Sequence, residues 1–64
     1  MKYSIDDWVW YTMFPQLTHF KDDKIRAVVL ELLEKDIIYD YRIYLDDGTS
    51  RVKKVKEENL APLN

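Results

Sequence analysis

The alternating run Tyr41-Arg-Ile-Tyr-Leu45 leads directly into Asp46-Asp-Gly-Thr49, and the chain returns through Arg51-Val-Lys-Lys-Val-Lys56. Gly48 is the only glycine, and it stands where a tight hairpin loop demands a positive φ. Two strands joined in this way bury too little to be stable alone in water, so further strands must flank them. Glu57-Glu-Asn59 then reads as one helical or 3-10 turn, and Leu60-Ala-Pro-Leu63 supplies two leucines that close a core. The last third of the chain is therefore the closing half of a small, strongly bent β-barrel.

Alternation extends upstream of the hairpin. Ile37, Tyr39, Tyr41, Ile43 and Leu45 share one face, expected to be core, while Ile38, Asp40, Arg42, Tyr44 and Asp46 share the other. Val52 and Val55 anchor the returning strand, and their odd spacing implies a bulge or a change of face near Lys53-Lys54. At the other end, Trp8-Val-Trp-Tyr-Thr-Met13 is β-branched and aromatic and reads as a first strand, ended by Pro15. Trp8 and Trp10 share a face opposite Val9, Tyr11 and Met13. Gln16 to Lys24 reads as a loop that packs back on itself through Phe14, Leu17 and Phe20.

Residues 24 to 36 satisfy two periods. As a helix over about 23–34, the segment has Asp22 as a cap and apolar residues at 25, 28, 29, 32 and 33. Packed on a small antiparallel sheet, it would give an α+β fold. As a strand it sets Ala27 and Val29 on one face and Arg26, Val28 and Leu30 on the other, with β-branched Ile25, Val28 and Val29 favouring extension. A long bent strand bulges where it changes direction, which blurs strict alternation. The extended form is the expectation, pairing with both the first strand and the strand through Ile43.

Sixty-four residues make one domain, 1–64, with no room for a deep catalytic cleft beside the core. Two Trp, five Tyr and two Phe supply large buried areas at low side-chain entropy. The absence of cysteine excludes a disulfide framework and a thiolate metal site, and His19 is the only histidine. His19 has no nucleophile or acid partner nearby in sequence, so no catalytic constellation, metal or cofactor is expected. A formal charge of −2 gives no global attraction to phosphate backbones or anionic lipid. The start of the chain lacks an apolar leader and no run approaches membrane-spanning length, so a cytoplasmic chain with no membrane partner is expected.

Together, Ile25-Arg-Ala-Val-Val-Leu-Glu31, Tyr41-Arg-Ile-Tyr-Leu-Asp-Asp-Gly-Thr49 and Val55-Lys-Glu-Glu-Asn-Leu-Ala-Pro-Leu63 resemble, in order and spacing, the Tudor-like branch of the SH3-like barrels. The resemblance covers roughly Val9 to Leu63 and implies an all-β, five-stranded SH3-like barrel that acts as a binding module. Tudor domains that read methylated lysine or arginine hold the cation in an aromatic cage. Here a first-strand aromatic remains as Trp10 or Tyr11 and a hairpin aromatic as Tyr44, but Ile25 and Asp47 occupy the other cage positions. Half a cage implies barrel geometry rather than a methyl-mark reader.

The expected function is that of a small non-enzymatic binding or adaptor module engaging a protein partner through an aromatic surface of Trp8, Trp10, Tyr11 and Tyr44, with Phe20 of the first loop. Both faces of the first strand are apolar, and one core cannot easily enclose all of these rings. An alternative is a nucleic-acid-binding module gripping phosphates with Arg42, Lys53, Lys54 and Lys56. The same lysines equally serve to discourage edge-to-edge pairing of a solvated strand. A further alternative reads the acidic pairs Asp6-Asp7, Asp22-Asp23 and Asp46-Asp47 as a DNA mimic of the phage inhibitor type, although turn chemistry accounts for them as well. Size and composition suit a bacterial or phage accessory protein, a monomer or weak homo-oligomer.

Overall fold

The computed structural model describes residues 1–18 and 23–63, with the backbone alone at Leu17 and Thr18. Strands β1 (Trp8–Tyr11), β2 (Ile25–Leu32), β3 (Tyr41–Leu45), β4 (Val52–Val55) and β5 (Leu60–Pro62) form one antiparallel sheet in the order β4-β3-β2-β1-β5. The fold is all-β. The sheet has two edges, β4 and β5, and β2 at its centre pairs on both sides, with β1 and with β3.

The ambiguous segment is extended, and the helix expected as an alternative over 23–34 is absent. Ala27 and Val29 are fully buried on the inner face while Arg26 and Leu30 are exposed on the outer one. Stiff β-branched side chains and two flanking partners outweigh the helical period. The register shifts between Val29 and Glu31, which re-aims the end of β2. The bulge expected near Lys53-Lys54 does not occur: β4 pairs in unbroken register from Tyr41↔Val55 to Tyr44↔Val52. Val55 points into the core and Val52 lies outside, 51% exposed, so their odd spacing reflects opposite faces of a regular strand.

The core is Val9, Tyr11, Ala27, Val29, Tyr41, Ile43, Leu45, Val55 and Leu60, joined by Tyr3 from the N-terminal segment. Alternation correctly places Tyr41, Ile43 and Leu45 inside, but the expected core does not extend to Ile37 and Tyr39. Ile37 is 98% exposed. The chain turns there because the Asp36 carboxylate accepts the N–H groups of Ile38 and Tyr39, both at 2.8 Å, which competes with a ladder. Leu63 is half-buried, a rim residue rather than a core one.

β1 stops at Tyr11, short of Met13: Thr12 N–H still donates to the Asn59 carbonyl at 3.0 Å, but Asn59 N–H turns to the Lys56 carbonyl and the Thr12 carbonyl accepts the Asn59 side-chain amide at 3.0 Å in its place. The segment expected as a pure loop opens with one helical turn, Pro15–Thr18, led by a proline whose missing N–H costs nothing in that position. Phe14, expected to pack the loop, is 52% exposed. The Leu17 side chain, His19, Phe20 and Asp22 lie outside the described residues. Glu57–Asn59 is a 3-10 turn, as its composition suggests. The hairpin loop carries Gly48 at φ 85°, the left-handed conformation its position requires.

Candidate functional site

The structure divides the candidate residues between two surfaces. On the outer face of the sheet, the registers Trp8↔Val28, Val28↔Tyr44 and Tyr44↔Val52 set four apolar side chains in one row across β1, β2, β3 and β4. Trp10 lies beside the row and Arg42 further along β3, where it pairs with Glu31 at 2.9 Å. This surface is largely occupied by its own cations. The Arg26 guanidinium covers the Trp8 ring at 4.9 Å and bonds Asp46, and the Lys24 ammonium covers Trp10 at 4.4 Å. Trp10 Nε1–H also donates to the Leu63 carbonyl at 3.3 Å, tying the C-terminal segment down. Tyr44 donates to Ser50 Oγ at 3.2 Å.

Tyr11 does not belong to that exposed surface. It is 4% exposed, its ring facing inward opposite Trp8 and Trp10, as the period of two demands. It forms part of the floor of a groove of about 550 Å³ between β4 and the segment Met13–Gln16. Met13 and Phe14 form one wall, and Lys53, Lys54, Val55 and Lys56 form the other. Tyr39 closes the groove together with Glu58 and Asn59 of the 3-10 turn. Across Met13 and Phe14, a smaller recess of about 230 Å³ continues toward Ile25 and Arg51.

Charge in the groove is positive. Lys53 is half-buried, with its ammonium 5.6 Å above the Tyr11 ring, so its stem lies on apolar surface and its head at the rim. Lys54 reaches Asp36 at 3.8 Å. That aspartate is held below the usual carboxylate range first by the Tyr39 and Ile38 N–H groups and then by Lys54. Lys56 is exposed. Among the described residues, Glu58 is the one acidic side chain lining the groove against these three lysines.

The basic wall is therefore legible in the sequence and the apolar one is not. Met13 and Phe14, which read as the end of the first strand and as loop packing, are 55% and 52% exposed. Their signal is an apolar pair lodged between the end of a strand and a proline, where a ladder cannot cover it. Of the acidic pairs, Asp7 accepts Ser4 N–H, Asp46 binds Arg26, and Asp47 accepts from Thr49 and Arg51, so these three carboxylates work within their own turns or ion pairs, while Asp22 lies outside the described residues. Among the described residues no cluster of three metal-ligating side chains occurs. Within the same residues no helix is long and apolar enough to cross a membrane.

Comparison of this chain with protein-family models, with curated proteins and with solved structures finds no match.

Proposed function

We propose that this chain is a small non-enzymatic binding module that grips a protein partner in the groove between β4 and Met13–Gln16. The observation that carries the proposal is the exposure of adjacent Met13 and Phe14 on a concave wall, facing Val55 and the lysine rim. Concave apolar surface with a few convergent polar groups is the usual form of a binding site. The outer row from Trp8 to Val52 is a secondary contact in this proposal, since Trp8 is already covered by Arg26 and the neighbouring Trp10 by Lys24.

A bent SH3-like barrel of the Tudor-like type is the fold we propose around this site. A bulged central β2 pairing on both sides, a glycine hairpin and a 3-10 turn before β5 support it. The incomplete cage, with Ile25 and Asp47 where aromatics would stand, favours a peptide-like ligand over a methylated side chain. A cytoplasmic location goes with this proposal.

Nucleic acid is the second proposal, favoured by Lys53, Lys54 and Lys56 beside Tyr11, Phe14 and Tyr39, since bases stack on aromatic faces. A net charge of −2 weighs against it. Photo-crosslinking separates these cases. A benzophenone side chain placed at position 14 should capture a discrete protein in the native host, and one placed at position 8 should not. Adducts at position 8 alone, or nucleic-acid adducts at position 14, would overturn the proposal.

A further inference from the structure

We infer that the open edge of β4 takes an acidic, extended segment of a partner protein as an added sixth strand, which lays alternate side chains into the groove; this rests on the groove being the binding site. The two edges of the sheet differ in what they offer. In β3–β4, Leu45 N–H donates to the Arg51 carbonyl at 2.9 Å, which fixes the phase of the ladder. By antiparallel alternation Lys53 and Val55 turn their backbone groups toward β3, and Val52 and Lys54 turn theirs to the open side. No backbone partner among the described residues reaches Val52 or Lys54 from that side.

At the β5 edge the outward N–H groups are used or missing and the Leu60 carbonyl is taken. Thr12 N–H to the Asn59 carbonyl fixes the phase, so Leu60 and Pro62 face outward. Leu60 N–H donates to the Glu57 carbonyl, the Leu60 carbonyl accepts Tyr3 O–H at 3.4 Å, and Pro62 has no N–H. Among the described residues, β4 is the edge that presents a template of open donors and acceptors.

Charge selects the occupant. Lysines at 53, 54 and 56 repel a basic strand and also a second copy, because pairing β4 with β4 sets lysines against lysines across the new ladder. An acidic strand is complementary to them. Its side chains on the inner side would meet Val55, Met13 and Phe14, and those on the outer side would meet Lys54. Main-chain hydrogen bonds then provide affinity and the groove provides selectivity.

The probe is a capped ten-residue peptide of alternating Glu and Val, with a Lys/Val peptide and a single-stranded oligonucleotide as comparisons, added to the full chain. We expect the Glu/Val peptide to bind and to slow amide exchange at Val52 and Lys54 at least tenfold, with the Lys/Val peptide inert. Val52→Pro should abolish that binding, because it removes an open-side N–H and spares the β3 ladder. Lys54→Glu should weaken binding at least fivefold and serves as the second variant should Val52→Pro not fold. Peptide binding that shifts Met13 and Phe14 but leaves exchange at Val52 and Lys54 unchanged would sink strand addition while the groove site stands. No peptide binding at millimolar concentration would likewise overturn strand addition. Preferential, salt-sensitive binding of the oligonucleotide would overturn the groove's assignment to protein as well.

Discussion

Tyr41 donates its phenolic hydrogen to Glu57 Oε1 at 2.7 Å, and the same tyrosine oxygen accepts Tyr3 N–H at 3.0 Å. Glu57 Oε1 also accepts Lys2 N–H at 2.9 Å. The Tyr3 and Tyr41 rings meet edge to face at 5.7 Å. One buried hydroxyl thus joins the N-terminal segment, the β3–β4 hairpin and the 3-10 turn, the last of which flanks the groove. Substituting Tyr41→Phe removes the donor and leaves Tyr3 N–H and Glu57 short of a partner, so a loss of roughly 1–3 kcal/mol is expected in denaturant titrations.

That linkage makes the fold acid-sensitive. Glu57 is held below the usual carboxylate range by the Tyr41 hydroxyl first and by Lys2 N–H second. Its folded pKa lies below its unfolded one, so its contribution is present above about pH 4.3 and is lost as pH falls through the lower folded value. Urea midpoints measured from pH 6 to pH 2 should fall, and Glu57→Gln should flatten part of that decline. An equal decline in both proteins would separate Glu57 from the acid response.

The alkaline side follows with the opposite sign. Burial raises the pKa of Tyr3 and Tyr41 above the usual tyrosine value, with Glu57 adding to both. Stability from these groups is complete below about pH 10 and is lost as pH rises through their raised folded values. Ultraviolet titration should show the tyrosine absorbance rising in more than one step, with the later step moving to lower pH in Glu57→Gln.

Ile37 and Ile43 test the limit of the core. Both sit on the same alternating face in the sequence, yet Ile37 is 98% exposed and Ile43 is fully buried. Ile43→Ala should cost about 2–5 kcal/mol and Ile37→Ala less than about 0.5 kcal/mol, measured by thermal or denaturant unfolding.

The reason the two isoleucines look alike in the sequence shows where legibility ends. Period two is visible in residues 37 to 45, but the Asp36 carboxylate captures Ile38 and Tyr39 N–H and breaks the strand before Tyr41. Such a local competitor leaves no trace in hydrophobic alternation. β2, β3 and the Gly48 loop were legible because side-chain branching, alternation and a forced φ act within a few residues. Tyr3 was not, being one aromatic in a polar segment that only chain closure brings to Tyr41. The groove was half legible for the same reason. Its lysines form a run in sequence, whereas Met13 and Phe14 meet that run only after the chain has passed through β2 and β3.

Gly48 carries a smaller prediction. Its φ of 85° disfavours any other residue, while a Cβ there would meet nothing within 4 Å. Gly48→Ala should therefore cost only the backbone strain, about 1 kcal/mol, and leave the β3–β4 register intact in amide chemical shifts.

Amide hydrogen exchange in the unliganded protein compares the two sheet edges in a single measurement. Lys53 and Val55, bonded toward β3, and Leu60, bonded to Glu57, should exchange slowly, while Val52 and Lys54, which alternate with the first two, should exchange near the rate of an unstructured peptide. Slow exchange at Val52 and Lys54, matching their neighbours, would mean that the β4 edge is already covered. The groove beside it would then not be open to a partner strand.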